Sequence, residues 1–316
     1  MEIEFTDRYA PAQPSVWYGR VDSETDENQF RMHQVVRIVD LLLQHDLNPG
    51  FSLLGYACDE GVRRNKGNVG AAEGPLAFRK AFSNLAAHDV WAIHDLGDLT
   101  CSDGNLENTQ AYFSKVVCEA LKAKQRLIAI GGGHDIAYGH YAGIRAALGK
   151  RSKIGIINFD AHFDLRAVEE HPSSGTPFWQ IAREDELNYC CIGIQPGGNT
   201  KNLFETAKSL GALVIHRHDM GNQNSIRSYD QFIHSVDHLY LTIDLDGFDM
   251  GLCPGVSAPT VNGFTYQDML PYLLAAASSN KLISADIAEL NPSRDPNQQT
   301  AKMAASLAFE IINNWS

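Results

Sequence analysis

Six side chains of the types that bind metal ions follow three short apolar segments of this sequence. They are His134 after residues 126–130, Asp160, His162 and Asp164 after residues 153–159, and Asp244 and Asp246 after residues 238–243. In an extended segment alternate side chains project to the same side. Asp160, His162 and Asp164 therefore form one row that faces one way, and the two carboxylates at 244 and 246 form another. Four carboxylates and two imidazoles exceed the three protein ligands of a catalytic zinc site. They suit two ions that share bridging carboxylates, and the oxygen-rich set favours Mn²⁺.

Taken one at a time, these residues have ordinary structural explanations. An Asp at a strand end usually caps a turn or a helix, which is the interpretation we favour for Asp135 and Asp249. The glycines at 131–133 make a turn, but no Gly-Lys-Ser/Thr follows them, so they do not form a phosphate-binding P-loop. The Asp-x-His-x-Asp and Asp-x-Asp clusters together favour a metal site, because their carboxylates would repel one another without a cation.

One more acidic residue, Glu289, follows the last apolar segment, residues 282–287. It could cap a helix or remain solvated. Next to a metal site it could instead bind a cationic group of a substrate, and the residues alone leave these interpretations open.

The segments that must position these clusters alternate between apolar strands and amphipathic helices. We predict strands at Phe51–Tyr56, Val90–His94, Arg126–Ile130, Lys153–Phe159, Tyr189–Ile194, Ala212–His216, His238–Asp244 and Leu282–Ile287. We predict helices at Phe30–His45, Pro75–Leu85, Leu106–Lys124, Ile136–Leu148, Thr200–Leu210, Tyr266–Ala277 and Gln298–Asn313. The strands lack polar alternation, which is typical of strands buried on both faces of a parallel sheet. Ligands of such sheets bind at the carboxyl ends of the strands, so the clusters are expected to meet at one edge.

This alternation predicts a parallel α/β fold. No linker rich in Pro, Gly or Ser divides the chain, so we expect a single domain over residues 1–316. A closed eightfold barrel and an open three-layer sheet both agree with the number of strands.

The composition argues against several classes of function. The 316 residues include 26 Lys and Arg against 38 Asp and Glu, a net charge of −12 without a basic segment. This argues against binding to nucleic acids and to anionic membrane surfaces, but it is compatible with a small anionic substrate. The first residues lack the apolar core of a signal peptide, no apolar run approaches about 18 residues, and the six cysteines form no CxxC pair. We therefore expect a cytoplasmic protein that does not span a membrane.

The chain resembles the arginase/agmatinase ureohydrolase family in four motifs, which are GGGHD at 131–135, NFDAHFDLR at 158–166, TIDLDGFD at 242–249 and ADIAELNP at 285–292. They occur in the order found in that family and span about half of the chain. The resemblance implies an open three-layer α/β/α sandwich around an eight-stranded parallel sheet. It also implies that the subunits assemble into trimers or hexamers.

The resemblance further implies a role for each site residue. His134, Asp160, Asp164 and Asp244 would bind one Mn²⁺, while Asp160, His162, Asp244 and Asp246 would bind the other, giving two ions per subunit. A hydroxide that bridges the ions would attack the carbon of an amidine or guanidine. Asp164 would assist proton transfer to the leaving amine, and Glu289 would pair with the cationic nitrogen of the substrate.

Two differences from arginase indicate the substrate. Arg166 stands where arginase has an Asn that binds the α-carboxylate of its substrate, and Phe178 stands where arginase has a proton-shuttling His. Segments 59–67, 70–75 and 193–195 resemble the branch of the family that hydrolyses N-formimino-L-glutamate to L-glutamate and formamide. Arg166 would then bind a carboxylate of this small-molecule substrate through a bidentate pair.

Two other functions remain as alternatives. An agmatinase-like or guanidino-acid hydrolase would release urea by the same chemistry, although Arg166 would repel an amine-tailed substrate such as agmatine. A catalytically silent metal-binding relative is a different class of protein. Such a relative would be expected to lose ligands, and all six are present.

Overall fold

A computed structural model describes residues 8–43, 47–88 and 92–316 of the chain. Its strands form one sheet and are, in chain order, β1 (Tyr9–Ala10), β2 (Val36–Ile38), β3 (Gly50–Ala57), β4 (Ile93–Thr100), β5 (Gln125–Gly131), β6 (Ile154–Phe159), β7 (Asn188–Ile194), β8 (Leu213–His216), β9 (His238–Asp244) and β10 (Leu282–Ala288). Across the sheet they are arranged β1-β4-β3-β5-β10-β9-β6-β7-β8, and β2 also pairs with β4.

The eight strands from β3 to β10 run parallel and correspond to the eight predicted strands. The short strands β1 and β2 both pair with β4, β1 in the antiparallel sense and β2 in the parallel sense, so the sheet has two more strands than predicted. Because β1 and β8 lie at opposite ends of the strand order, the sheet is open. The prediction of an open parallel sheet is confirmed, and the barrel alternative is wrong.

The helices of the described residues are α1 (Met32–Val35), α2 (Glu60–Arg64), α3 (Gly74–Phe82), α4 (Leu106–Lys122), α5 (Ile136–Leu148), α6 (Pro177–Glu184), α7 (Lys201–Ser209), α8 (Gln223–His234), α9 (Tyr266–Ala277) and α10 (Gln299–Asn314). Helices α3, α8, α9 and α10 pack in the core on one face of the sheet, and α4 to α7 pack in the core on the other. This makes three layers. Within the described ranges, none of the helices is long and apolar enough to cross a membrane.

The two cores explain why the strands show no polar alternation. In β5, Ile128 and Ile130 enter one core, whereas Leu127 and Ala129 enter the other, and all four are buried. A strand covered by helices on both faces needs apolar side chains at every position.

The predicted helix at Phe30–His45 is wrong. The chain forms only the single turn α1 and then the strand β2, which pairs with β4 from Val36 opposite Ile93. The β-branched residues at 35, 36, 38 and 39 favour extended backbone, and this preference together with an available sheet edge outweighs the helical spacing. The last two residues of the predicted helix lie outside the described residues.

The strand predicted at Val90–His94 is displaced toward the carboxyl end of the chain. Its first two residues lie outside the described residues, and β4 continues to Thr100 through Asp95 and Asp98. Arg79 of α3 compensates these carboxylates, with Nε 2.7 Å from Asp95 Oδ2 and Nη1 2.8 Å from Asp98 Oδ1. Acidic residues that pair with Arg79 therefore interrupt the apolar pattern of the sequence but not the strand itself.

Other element bounds agree closely with the predictions, and α5, α9 and β9 begin and end at the predicted residues. Helices α2, α6 and α8 were not predicted. In α8 the buried residues are Tyr229 and Ile233, which lie four residues apart on one face of the helix.

Candidate metal centre

The predicted ligands follow the four central strands of the sheet. Strands β5, β10, β9 and β6 are consecutive neighbours, and β5 and β6, which are consecutive in the chain, are separated by the other two. His134 follows β5, Asp160 directly follows β6, Asp244 ends β9 and Glu289 directly follows β10. A change of strand order of this kind opens a crevice at the carboxyl edge of a parallel sheet, where ligands bind. The sheet order therefore brings the three sequence clusters to one place.

His134 lies among three carboxylates. Its Nδ1 is 3.3 Å from Asp160 Oδ2, 3.0 Å from Asp164 Oδ2 and 3.1 Å from Asp244 Oδ2. One ligand-type atom from each of the four residues lies within 4.8 Å of all the others. This spacing suits a single cation at the centre of the group.

A second group of the same kind contains Asp160, His162 and Asp246. His162 Nδ1 lies 3.3 Å from Asp160 Oδ1 and 3.3 Å from Asp246 Oδ1. Asp160 thus turns one oxygen toward each group, as a bridging carboxylate does. Asp244 groups with the first set alone, so its bridging role stays a prediction. We call the six residues of the two groups the edge cluster: His134, Asp160, His162, Asp164, Asp244 and Asp246.

Local hydrogen bonds orient the acidic side chains of the edge cluster. Asp160 Oδ1 accepts from the backbone N–H of His162 at 2.7 Å, and Asp244 Oδ1 accepts from the N–H of Asp246 at 2.7 Å. These turns follow from the Asp-x-His and Asp-x-Asp spacing, because an Asp side chain readily bonds the backbone two residues on. In Asp244 this leaves Oδ2 to face His134.

The loop before His134 requires glycine for a close approach to β3. A Cβ at Gly132 would lie only 1.6 Å from the carbonyl oxygen of Cys58, and the N–H of Gly133 donates to that oxygen at 3.0 Å. The loop therefore packs tightly on the residue that follows β3, which fixes the position of His134.

Burial and mutual repulsion shift the pKa values of the edge cluster. Burial, together with the charge of Asp160, raises the pKa of Asp164 to about 6. Burial and the charge of Asp244 raise the pKa of Asp246 well above its usual range. The negative charge of Asp246 raises the pKa of the His162 imidazole in spite of burial. The protein alone thus keeps protons on this cluster, and a divalent cation would take their place.

The donor set fits a binuclear metal site. Asp246 Oδ1 is buried and has no hydrogen bond among the described residues, and its neighbour at 3.3 Å, His162 Nδ1, is itself a metal-ligand atom, so a cation between the two would compensate both. The two groups share Asp160 and contain only carboxylate oxygens and imidazole nitrogens. Such a set is typical of hard and borderline divalent ions.

Glu289 forms part of the wall beside His134. Its backbone is left-handed with a φ of 66°, and its Oε1 accepts from the N–H of His134 at 3.0 Å. Its Oε2 accepts from the hydroxyl of Ser257. Burial and the charge of Asp244 raise the pKa of Glu289 to about 8. Ser257 escaped the sequence analysis because a serine in a loop forms no pattern that marks it.

A cavity of about 280 Å³ opens onto the edge cluster. Glu289 and four edge-cluster residues line it, and so does Arg166. The Arg166 side chain is exposed, and its Nη1 donates to Asn65 Oδ1 at 3.0 Å. The structure therefore places all the predicted site residues in or beside one cavity, and their individual roles remain predictions.

A chain of hydrogen bonds supports His134 from the side of the ring that faces away from the carboxylates. His134 Nε2 lies 3.0 Å from the hydroxyl oxygen of Thr242 in β9. That hydroxyl donates to Asp286 Oδ1 in β10 at 2.6 Å. Thr242 therefore orients a candidate ligand. Its position could not be recognised from the sequence, because a threonine inside a strand is a common β-favouring residue.

Asp286 belongs to a second polar cluster, which lies inside the fold. His140 Nδ1 lies 2.6 Å from Asp286 Oδ2, and the Tyr240 hydroxyl donates to the same oxygen. His140 Nε2 is 2.6 Å from Ser284 Oγ, and all four residues are fully buried. We call His140, Tyr240, Ser284 and Asp286 the inner cluster. His140 lies outside the two ligand groups of the edge cluster.

Phe178 packs directly against the edge cluster. Its ring is fully buried, and its centroid lies 5.4 Å from that of His134 in an edge-on arrangement. The side chain excludes water from this face of His134 and has no group that transfers a proton.

Comparison with known proteins identifies relatives over nearly the whole chain. The sequence model of the arginase family matches residues 49–313 of this chain. The chain is 42% identical over 311 residues to the formimidoylglutamase of Geobacillus sp. (strain WCH70), covering 96% of both chains. It is 40% identical over 313 residues to the formimidoylglutamase of Aeromonas salmonicida (strain A449), covering 96% of this chain and 99% of the relative.

Solved structures share the fold. The formimidoylglutamase of Bacillus subtilis superposes with a TM-score of 0.82 at 20% identity, covering 93% of this chain and 94% of the other. The crystal structure of Trypanosoma cruzi formiminoglutamase with Mn²⁺ gives a TM-score of 0.77 at 22% identity, covering 84% and 92%. At these sequence identities the structural similarity shows that this chain shares the fold of these proteins.

Proposed function

The chain belongs to the arginase family, and we propose that it hydrolyses N-formimino-L-glutamate to L-glutamate and formamide. Relatives that are 40–42% identical over nearly the whole chain are formimidoylglutamases. The structural observation that carries the proposal is one cavity lined both by four residues of the edge cluster and by Arg166. A substrate with an amidine and carboxylates requires these two features together.

We propose that the edge cluster holds two Mn²⁺ ions. His134, Asp160, Asp164 and Asp244 would hold one, and Asp160, His162 and Asp246 would hold the other with a contribution from Asp244. When bound, the ions supply Lewis acidity and make water a nucleophile at neutral pH. The crystal structure of the Trypanosoma cruzi relative contains Mn²⁺, which supports this choice of metal.

The reaction adds water to the formimino carbon and breaks the bond between that carbon and the glutamate nitrogen. Glu289 would accept hydrogen bonds from the amidine and orient its carbon toward the edge cluster. Asp164 would carry a proton to the departing glutamate nitrogen, because its carboxylate lines the cavity beside His134, where the substrate would lie. The backbone N–H of His134 and the hydroxyl of Ser257 fix the Glu289 carboxylate for this role.

Arg166 would bind one carboxylate of the substrate. Its guanidinium lines the cavity and is positioned by Asn65, and a planar fork of donors matches a carboxylate well. We expect Arg166→Ala to raise KM by an amount equivalent to about 1.5–3 kcal/mol while both metal ions stay bound. Steady-state kinetics and metal analysis of the purified variant measure this. An unchanged KM would remove Arg166 from substrate binding.

The test of the proposed function is hydrolysis by the Mn²⁺-loaded protein of N-formimino-L-glutamate, L-arginine, agmatine and 4-guanidinobutyrate side by side. We expect glutamate and formamide from the first substrate and no urea from the others. Urea from a guanidine with N-formimino-L-glutamate inert would favour the guanidino-acid alternative. Stoichiometric metal without turnover of any substrate would favour a silent relative.

We further propose that the chain acts as one domain in a trimer or hexamer in the cytoplasm, as the family resemblance implies. Light scattering of the purified protein would measure the number of subunits. A monomeric mass would contradict the assembly.

A further inference from the structure

The cavity contains a second cation that the reaction described above does not use. Lys66 and Arg166 are the Lys and Arg side chains among its described lining residues. The proposed substrate has two carboxylates, and the bidentate fork of Arg166 serves one. We propose that the ammonium group of Lys66 binds the other carboxylate, an inference that rests on the proposed function.

The backbone at Lys66 has a conformation that recurs in this cavity. Eight described non-glycine residues have a left-handed φ, and three of them line the cavity: Lys66 with a φ of 63°, Asp164 with 48° and Glu289 with 66°. At Lys66 this conformation caps the end of α2: the N–H of Gly67 donates to the carbonyl oxygen of Val62 at 2.9 Å, and the N–H of Lys66 donates to that of Arg63 at 3.0 Å. The cap fixes the backbone of Lys66 at the wall of the cavity.

The loop that carries Lys66 is anchored on both sides. The preceding residue, Asn65, accepts a hydrogen bond from Arg166 Nη1 at 3.0 Å. Two residues on, Asn68 Nδ2 donates to the carbonyl oxygen of Ser257 at 2.8 Å. Lys66 therefore lies between two anchored residues of the cavity wall. Asn65, on one side, contacts Arg166, and Asn68, on the other, contacts Ser257, whose hydroxyl donates to Glu289. The backbone of Lys66 is fixed while its four-carbon stem can reach into the cavity.

The neighbouring arginines are already paired, and Lys66 is not. Arg63 Nη2 lies 2.5 Å from Glu60 Oε1, and Arg64 Nε lies 2.8 Å from the same oxygen. Arg64 also pairs with Glu107 at 2.8 Å. The Lys66 side chain is exposed, and within the described ranges its ammonium has neither a hydrogen bond nor an ion pair. Of these three cations, Lys66 alone is free to meet an anionic group.

Two cations match the charge distribution of the substrate. One carboxylate is attached to the carbon that bears the reacting nitrogen, and the other lies at the end of the side chain. A single guanidinium binds one carboxylate in bidentate fashion, so the second would enter the cavity without a partner. A lysine on a neighbouring loop supplies it, and this makes Lys66 a specificity residue for dicarboxylates.

The test compares wild-type protein with Lys66→Met, which keeps the aliphatic stem, and with Arg166→Ala. Lys150→Met is the matched control, because Lys150 is an exposed lysine outside the cavity lining. Each Mn²⁺-loaded protein is assayed with N-formimino-L-glutamate, with N-formiminoglycine, which has only the α-carboxylate, and with N-formimino-4-aminobutyrate, which has only the distal one.

We expect Lys66→Met to lower kcat/KM for N-formimino-L-glutamate about tenfold or more, mainly through KM, as for the loss of a charge-assisted hydrogen bond. Lys66→Met should lower kcat/KM by the same factor for one of the two monocarboxylate substrates and leave it unchanged for the other. Arg166→Ala should lower kcat/KM for the substrate that Lys66→Met leaves unchanged. A change within about twofold, the size expected of the Lys150→Met control, would overturn the proposal. Equal losses on all three substrates would also overturn it, because they would indicate a general disturbance of the site.

Calorimetric binding of L-glutamate, the dicarboxylate product, separates this inference from the proposed function. If the wild-type protein hydrolyses N-formimino-L-glutamate and Lys66→Met leaves glutamate affinity unchanged, the inference fails and the function stands. If the wild-type protein binds glutamate about tenfold more tightly than Lys66→Met but hydrolyses none of the formimino substrates, Lys66 stands as a dicarboxylate-binding residue and the function fails. Absence of glutamate binding to wild type would overturn the inference.

Discussion

Two buried clusters in this protein use the same residue types, histidine and aspartate, in different proportions. In the inner cluster one carboxylate, Asp286, faces several donors. Its Oδ1 accepts from the Thr242 hydroxyl at 2.6 Å, and its Oδ2 is met by His140 at 2.6 Å and by the Tyr240 hydroxyl. The edge cluster has four carboxylates for two imidazoles, and Asp246 Oδ1 has no hydrogen bond.

The comparison teaches that the ratio of carboxylates to donors, rather than the residue types, separates a structural cluster from a cation site. A buried carboxylate must be compensated by donors or by positive charge. The inner cluster is compensated by the protein itself. The edge cluster has more carboxylates than imidazoles, and burial together with neighbouring carboxylates raises the pKa values of Asp164 and Asp246, so its composition fits the divalent ions proposed for it.

Removing one carboxylate from the edge cluster should have the largest effect. We expect Asp246→Asn to lose one of two Mn²⁺ ions and to lower kcat/KM by about a thousandfold, since a lost electrostatic stabiliser of a transition state costs up to this much. Metal analysis and kinetics measure both. Asp286→Asn is the matched control, because it makes the same chemical change in the inner cluster and keeps an oxygen that can accept from the Thr242 hydroxyl, so both ions should stay bound. Full occupancy in Asp246→Asn would contradict the assignment of that ligand.

A change in the inner cluster should appear in stability instead. His140→Ala leaves the buried Asp286 carboxylate without its imidazole, and we expect it to lower the free energy of unfolding by about 3 kcal/mol. Urea denaturation with saturating Mn²⁺ measures this, and KM should stay unchanged. A variant that kept its stability but lost its ions would show that the inner cluster acts through the metal.

The edge cluster should also make stability depend on metal. At free Mn²⁺ a hundred times its Kd, binding to the folded state alone should add about 2.7 kcal/mol to the free energy of unfolding. Thermal denaturation over a range of Mn²⁺ concentrations tests this. The increase should persist in Asp286→Asn and shrink in Asp246→Asn, and an equal increase in both would break the distinction between the clusters.

The smallest effect is expected at the residue that joins the two clusters. Thr242→Val removes the hydroxyl between His134 and Asp286, and loss of a partner that orients a metal ligand typically weakens metal binding by about 10–100-fold. Titration with Mn²⁺ measures the affinity, and Thr242→Ser should restore it by returning the hydroxyl. If the serine variant bound metal as weakly as the valine variant, packing rather than hydrogen bonding would explain the loss.

Local patterns made most of the fold predictable. Apolar runs such as His238–Asp244 and helical spacing such as Ile136–Leu148 gave the correct bounds, because both reflect burial that repeats along a short stretch of chain. The failures occurred where distant contacts decide the structure. The segment at Phe30–His45 becomes partly a strand because β4 offers an edge, and β4 itself contains acidic residues that pair with the distant Arg79.

The composition of the edge cluster was predictable for the same reason. Its ligands lie within three short motifs, and their position after apolar segments is enough to place them at one edge of a parallel sheet. The contacts of Thr242 and Ser257, and the role proposed for Lys66, were not predictable. Each acquires its role from a residue far away in the chain, and single threonines, serines and lysines in a sequence carry no pattern.

The sequence by itself determined the chemistry of this protein: which carboxylates and imidazoles are present, how they are spaced, and that parallel strands carry them. The tertiary structure decided which carboxylate oxygen faces which imidazole, which buried carboxylates lack donors, and which cations share the cavity with them. The physical reason is that spacing along the chain controls side-chain direction only over a few residues. Electrostatic compensation depends instead on every group within a few ångströms, wherever it lies in the sequence.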